Sequence, residues 1–262
     1  MAELRTGQFF GGVSGRWAIP QALLTRLDHA AVRKVPSHTH ERGYLNLVLT
    51  GHYREQTRLR KIEYQPFTLV SHPAHFEHRD EIGDGGAQFF IVEFRGDWLD
   101  RRQAQFDIQG GEAVWAALRL ACRVHDGPLA AEAGVAELLG ALNGGRWTAE
   151  KREPRWLTAV EDRLREEFLS PPALEILSGD AGVHPVHLSR TYRKFRGEGA
   201  GDFVRRLRVI EGARRIATGG QKLVDIAAEL GFADQSHFAR SFKQVTGVTA
   251  GEFQRQVAKT RR

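Results

Sequence analysis

The chain has 262 residues, of which 41% are hydrophobic and 27% are charged, which is typical of a soluble globular protein with one large or two modest domains. It has no run of the ~20 apolar residues that a membrane span needs, and the N-terminal MAELRTGQFFGG lacks the apolar core of a signal peptide, so we expect a cytoplasmic protein. Its single cysteine, Cys122, excludes an intramolecular disulfide and a cysteine-rich zinc site. The net charge of +6 is concentrated in residues 153–262, which hold 19 basic and 14 acidic residues (net +5). Residues 1–152 hold 19 basic and 18 acidic residues (net +1). A polyanionic partner and a solvated surface explain this uneven charge nearly equally well.

The first hundred residues are rich in predicted strands. Apolar or alternating runs at 44–51, which ends at Gly51, at 67–73 and at 87–94, and a polar, edge-like run at 54–64, predict short strands separated by turn residues. This pattern favours a small barrel or sandwich. From Gly111 the apolar spacing becomes helical and predicts helices over 112–125 and 130–142. We therefore predict a β-rich domain at 1–100, linker helices that could dimerise within 101–152, and a helical domain at 153–262.

The helical domain contains an element that occurs twice. HLSRTYRKFRGEGAGDF (187–203) matches HFARSFKQVTGVTAGEF (237–253) at an offset of 50 residues. The identical pairs are His187/His237, Arg190/Arg240, Gly197/Gly247, Ala200/Ala250, Gly201/Gly251 and Phe203/Phe253. In each copy a short helix, a tight turn at Gly182 or Gly231 and a second helix form the helix-turn-helix pattern, and a long helix over about 201–217 joins the copies.

The second helix of each copy has two unlike faces. One face is apolar and is predicted to pack inward, with Leu188, Tyr192 and Phe195 in the first copy and Phe238, Phe242 and Val245 in the second. The opposite face has small or hydrogen-bonding side chains and cations, as a helix in a DNA major groove requires. The competing interpretation is a generic helical repeat with solvated faces.

Residues 154–258 resemble the DNA-binding domain of the AraC/XylS family of transcription regulators. The motifs AGVHPVHLSRTYRKFRG and DIAAELGFADQSHFARSFKQVTGVTAGEF carry the resemblance. It implies that the second helix of each unit enters a major groove of double-stranded DNA. It implies base contacts from Val186, Ser189, Arg190, Gln235, Ser236 and Arg240, and phosphate contacts from Arg193, Lys194 and Lys243. Gly212 departs from the pattern and predicts a softer linker helix, since alanine would be about 1 kcal/mol more favourable there.

A second cluster of functional residues lies near the N-terminus, where seven of the eleven histidines fall between residues 29 and 78. His38 and His40 are two apart, so a strand would point both to one face, and SHPAHFEH adds His72, His75 and His78. The pattern resembles the cupin barrel, although Tyr44 stands where metal-binding cupins have glutamate and His75 where they have glycine. Three interpretations stay open. The histidines line a metal-free effector pocket, or they only pack in the core, or His38, His40 and His78, with His75, bind a divalent transition metal such as zinc, iron or nickel.

Together these patterns predict an α+β multidomain protein with an N-terminal cupin-like β-barrel, linker helices and a C-terminal all-α double helix-turn-helix domain. The resemblance implies that the cupin-like domain at 1–100 is a sensing domain. We expect a sequence-specific DNA-binding transcriptional regulator with no catalytic residues. Its expected partners are double-stranded DNA, an unknown small effector, RNA polymerase and, in a homodimer, a second copy of the chain. The alternative is a metal-dependent cupin enzyme, a dioxygenase or isomerase, with an accessory DNA-binding module.

Overall fold

A computed structural model describes residues 2–31, 33–58, 60–96, 106–109, 111–144, 154–196 and 198–258. The chain divides into two compact units. The sheet unit comprises residues 1–145, 217–219 and 246–262, and the helical unit comprises residues 146–216 and 220–245. The predicted domain boundaries at 100 and 152, and Gly197 of the repeat, lie outside the described residues.

The sheet unit is built on nine described strands in one sheet. They are β1 (Ala2–Leu4), β2 (Gly12–Ala18), β3 (Ala22–His29), β4 (Lys34–His40), β5 (Tyr44–Gln56), β6 (Lys61–Tyr64), β7 (Thr68–His72), β8 (His78–Phe94) and β9 (Asp107–Gln109). The long strand β8 is central: it pairs antiparallel with β5, with β4 through its first half and with β3 through its second half. The N-terminal half is therefore β-rich, as predicted.

Strand β5 differs from the prediction that a strand ends at Gly51. It continues to Gln56, because Gly51 adopts a φ of 70° at a bulge in the β5–β8 pairing and so bends the strand without ending it. A Cβ at Gly51 would lie 1.9 Å from the carbonyl oxygen of Gly86, so only glycine fits. The continuation carries Glu55 into the interior of the sheet unit, where it is buried.

Two helices that follow the sheet, and the last helix of the chain, complete this unit. Helix α1 (Glu112–Arg123) leads through a short 3-10 turn into α2 (Pro128–Gly144), close to the predicted bounds, and α9 (Ala250–Ala258) ends the described chain. In α9 the ring of Phe253 lies 5.6 Å from that of Phe67, and Gln256 accepts a hydrogen bond from buried Arg26 at 2.9 Å. None of the described helices is long and apolar enough to cross a membrane.

The helical unit repeats one helical pair, as predicted. Its helices are α3 (Arg155–Glu166), α4 (Leu174–Asp180), α5 (Pro185–Arg196), α6 (Ala200–Thr218), α7 (Leu223–Glu229) and α8 (Gln235–Thr246). The turns after α4 and α7 place Gly182 at φ 65° and Gly231 at φ 72°, a left-handed conformation that glycine adopts without strain. Each turn closes with the same backbone hydrogen bond of 3.0 Å, from Val183 N–H to the Ser178 carbonyl and from Phe232 N–H to the Ala227 carbonyl.

Gly212 on α6 has a packing role that the sequence did not suggest. A Cβ there would lie 2.6 Å from Cε2 of Phe238 and 3.1 Å from Cδ1 of Leu230, both fully buried. The missing side chain lets the core ring of α8 pack directly on the backbone of α6. The glycine is thus explained by close helix packing, and the inference of a softer linker helix is not needed.

Candidate nucleic-acid interface and buried histidine cluster

The second helices of the two repeats, α5 and α8, are oriented by their apolar faces. Leu188 and Tyr192 of α5, and Phe238 and Phe242 of α8, are fully buried. Phe195 and Val245, the third member of each predicted face, are half-buried. Because these faces point into the core of the helical unit, the opposite faces point to solvent.

All nine predicted DNA contacts lie on the solvent faces. Val186, Ser189, Arg190, Arg193, Lys194, Gln235, Ser236, Arg240 and Lys243 are each exposed. Both helices also begin with an arrangement that fixes their first turn. The Asp234 carboxylate accepts a hydrogen bond from His237 N–H at 2.6 Å at the start of α8, and Pro185 occupies the first position of α5.

The cations on these two faces differ from seven arginines elsewhere in the helical unit. Arg163, Arg165, Arg196, Arg205, Arg206, Arg214 and Arg215 each pair with a glutamate or aspartate. Within the described part of the chain, Arg190, Arg193, Lys194, Arg240 and Lys243 have no carboxylate partner. Cations without an internal partner are free to bind phosphates, so the charge pattern favours a polyanion on this side.

The two histidines of the repeat could either pack against the core or contact phosphate, and they lie in different environments. His187 is exposed, with its ring 6.1 Å from Trp156. His237 is half-buried and meets the edge of Phe232 at 5.3 Å. Packing therefore accounts for His237 better than for His187.

In the sheet unit, three of the four histidines predicted as metal or effector ligands form a buried cluster. His38, His40 and His78 are 2–3% exposed, and one ligand atom from each lies within 4.8 Å of the others. His38 and His40 project from β4 to the same side, and His78 is paired directly with His38 across the β4–β8 ladder. Strand alternation and register thus bring together residues that are 40 positions apart.

His75 is not part of this cluster. Its side chain is 66% exposed, and its Nδ1 lies 2.9 Å from a Glu3 carboxylate oxygen. It adopts a φ of 61°, the left-handed conformation for which glycine is favoured. This turn geometry gives a physical reason for the glycine of the cupin pattern at this position, and it directs the His75 side chain outward.

The rings of His38 and His78 are oriented by hydrogen bonds to the backbone. The Nδ1–H groups of His38 and His78 donate to the carbonyls of Pro36 (2.8 Å) and Phe76 (3.1 Å), which leaves each Nε2 lone pair facing the cluster. Metal-binding histidines are commonly held by such outer hydrogen bonds. Burial, followed by the neighbouring histidines, lowers the pKa of His40 to about 2 and that of His78 to about 3, and burial also lowers the pKa of His38. The rings are therefore neutral at physiological pH, as metal ligands must be.

A second buried group of residues shares His78, and its member Glu55 was not predicted from the sequence. Glu55, His72 and His78 also have ligand atoms within 4.8 Å of one another, and all three are buried. His72 Nε2 lies 2.5 Å from Glu55 Oε2. Glu55 could have been found only by extending β5 past Gly51, because strand alternation then directs it to the interior.

Tyr44 and Asp80 also belong to the polar lining, together with Asn46 and Tyr53. The Tyr44 hydroxyl, where the cupin pattern has glutamate, is 3.3 Å from His78 Nε2. Burial raises the pKa of the Asp80 carboxyl, and the Glu55 carboxylate opposite it on β5 adds to the rise. The space between these residues is about 40 Å³, which is large enough to hold a water molecule.

The repeat region is similar to the helix-turn-helix domains of known transcriptional regulators. A family model described as "Helix-turn-helix domain" matches residues 177–256. The HTH-type transcriptional activator AarP of Providencia stuartii is 32% identical over 77 residues, 29% of this chain and 57% of that protein. The regulator GlxA of Rhizobium meliloti is 30% identical over 100 residues, 38% of this chain and 31% of that protein. The chain contains the helix-turn-helix domain of the AraC/XylS family.

Other similarities extend beyond this AraC/XylS domain. The HTH-type transcriptional regulator YobQ of Bacillus subtilis is 23% identical over 226 residues, 86% of this chain and 88% of that protein. A crystal structure of ToxT from Vibrio cholerae covers 90% of this chain and 98% of its own, with 12% identity and a TM-score of 0.38. The match to AarP, in contrast, spans little more than half of that protein.

Proposed function

We propose that the protein is a sequence-specific DNA-binding transcriptional regulator that reads two successive major grooves with α5 and α8. The observation that carries the proposal is the pair of exposed helix faces whose five cations lack carboxylate partners among the described residues, whereas the other helical-unit arginines named above are paired. Two faces of unlike sequence imply an asymmetric site for one domain, with the grooves about 10 base pairs apart.

Footprinting and binding titrations with the full chain test this proposal. Arg190→Ala and Arg240→Ala should each relax base preference in a different groove, at about 1–3 kcal/mol for each lost base contact. Lys194→Ala should weaken binding to all sequences alike and flatten its salt dependence. Arg163→Ala, which removes a cation already paired with Glu167, is the matched control and should leave DNA affinity unchanged.

The proposed DNA reading fails under either of two results. One is a palindromic footprint that requires two copies of the helical domain. The other is alteration of the same base positions by both arginine variants.

For the sheet unit we propose a cupin-like barrel that holds one divalent transition metal, such as zinc, iron or nickel. His38, His40 and His78 would be its ligands. Metal–nitrogen bonds of about 2.0–2.1 Å allow two ligand nitrogens to be up to about 4.2 Å apart. The cluster atoms are within 4.8 Å, so small side-chain rotations suffice. Buried polar atoms without a hydrogen-bond partner, among them His40 Nδ1 and Asp80 Oδ1, also fit an ion-binding interior.

The size of the cavity favours a metal over an organic effector or substrate at this position. A drug-sized ligand needs about 300–1,000 Å³, whereas the space between the cluster residues is about 40 Å³. The same argument favours a sensing or structural ion over the alternative of a cupin enzyme. Bound metal would supply a fixed positive charge, to which Glu55 through His72, and the Tyr44 hydroxyl, lie adjacent.

Metal analysis of the purified chain by native mass spectrometry tests this proposal. We expect about one transition metal per chain and its loss in His38→Ala. His75→Gly is the matched control, because His75 is exposed and glycine suits its φ of 61°. It should retain the metal. A metal-free protein that is equally stable with and without chelator would overturn the proposed metal site.

A further inference from the structure

A cavity of the helical unit has a volume of about 860 Å³ and opens to solvent. It lies between α5 and the start of α6 and extends to the segments around Phe232 and His237. Its volume falls within the range of about 300–1,000 Å³ that is usual for small-molecule sites. It is roughly twenty times the volume of the space between the buried histidines.

The floor of this cavity is apolar. It is lined by Leu164, Leu174, Leu177, Val204 and Phe232, with Pro171 and Pro172 at one side. Leu164, Leu177, Val204 and Phe232 are buried members of the surrounding core, so the floor is rigidly packed. Such a surface would bind the apolar body of an organic molecule.

The rim of the cavity is cationic. Arg190, Arg193 and Lys194 of α5 line it, and none of them has a carboxylate partner in the described chain. Two further rim arginines are engaged: Arg205 pairs with Asp202, and Arg208 donates to the carbonyls of Phe168 and Gly231. Three uncompensated positive charges beside an apolar floor are complementary to a molecule with an apolar body and an anionic group.

We infer that this cavity binds an amphipathic organic anion, an aromatic or aliphatic carboxylate or sulfonate, as a second ligand site distinct from the histidine cluster. Arg190, Arg193 and Lys194 also belong to the proposed DNA surface, so the anion and DNA exclude each other. This consequence alone rests on the proposed DNA-binding function. The site would place effector control directly on the DNA-reading helix.

The test is fluorescence titration of the full chain with 8-anilinonaphthalene-1-sulfonate, an amphipathic anion. Gly201 lines the cavity, and a Cβ there meets no atom within 4 Å, so Gly201→Leu adds bulk at the cavity without a clash at its Cβ. Arg193→Gln removes one rim charge while keeping most of the length of the side chain. Each variant should weaken probe binding by about fivefold or more, and decanoate should displace the probe from the unaltered chain.

Gly140→Leu is the matched control. Gly140 is an exposed helical glycine in α2 with equally open surroundings, outside the cavity. It should leave probe affinity unchanged, and circular dichroism should find all variants folded. Probe affinity that is the same in Gly201→Leu, Arg193→Gln and the unaltered chain would overturn the site.

Double-stranded DNA provides an independent outcome. At low salt it should displace the probe from the unaltered chain, and simultaneous binding of both would overturn the overlap. If the chain binds no DNA in a separate filter-binding measurement, the proposed function fails. The effects of the two variants on probe binding would still decide whether the anion site exists.

Discussion

Gly212→Ala separates helix propensity from helix packing, because the two effects have opposite signs at this position. Alanine should stabilise an exposed helical position by about 1 kcal/mol relative to glycine. At Gly212, however, the new Cβ would lie 2.6 Å and 2.8 Å from two carbons of the Phe238 ring. Carbon atoms prefer separations of about 3.5–4.0 Å, so the fully buried ring must move by roughly 1 Å. Overpacking of this kind costs about 1–3 kcal/mol.

The expected net effect is a loss of about 1 kcal/mol in the free energy of unfolding, or about 2–4 °C in Tm. Gly201→Ala on the same helix is the control, since its Cβ meets no atom within 4 Å; it should be neutral or stabilising by up to about 1 kcal/mol. Urea unfolding of the full chain, followed by circular dichroism with unchanged m-values, measures both. A Gly212→Ala chain as stable as the unaltered chain would refute the packing argument. Because Phe238 lies on α8, we also expect weaker DNA binding by this variant.

Three further predictions concern single residues. Asp234→Ala removes the carboxylate that accepts from His237 N–H, and should lower the free energy of unfolding by about 1 kcal/mol in urea titrations; an unchanged midpoint would rule out a capping role. Burial raises the pKa of Glu93 from 4.5 to about 7, although the hydrogen bond from Gly7 N–H lowers it. The folded state therefore holds this proton more tightly than the unfolded chain does. The free energy of unfolding should fall by up to about 3 kcal/mol as the pH rises from about 4.5 to about 7. Urea titrations should find this fall reduced in Glu93→Gln, and an identical pH profile for both chains would contradict it. Gly51→Ala would place a Cβ 1.9 Å from the Gly86 carbonyl oxygen and should abolish soluble expression. Gly85→Ala, whose Cβ would have no neighbour within 4 Å, is the control and should express normally. A folded Gly51→Ala chain would contradict the bulge geometry at this position.

The helical half of this protein was largely predictable from local patterns. A helix-turn-helix is a local unit whose helices, turn glycines and apolar faces follow one another in sequence. Its duplication at a 50-residue offset could therefore be recognised from the sequence alone. Gly182 and Gly231 lie in the predicted tight turns, where both adopt a left-handed φ, and Leu188 and Phe238 are buried as their helical spacing requires. The residues on the opposite faces follow from the same periodicity.

The histidine cluster was only partly predictable, because it depends on pairing between distant strands. Alternation along β4 placed His38 and His40 on one face, but the position of Glu55 depends on how β5 bends at Gly51. His75 fits the spacing of a ligand, yet its φ of 61° turns it to the surface.

Three-dimensional packing alone decided the remaining features. The role of Gly212 comes from the approach of Phe238, and the roughly twentyfold difference in volume between the two cavities comes from how whole elements pack. The sequence by itself determined which surfaces are apolar, cationic or rich in histidine. Only the tertiary structure decided which of these residues meet, because strand register, backbone conformation and packing volume depend on contacts between residues far apart in the chain.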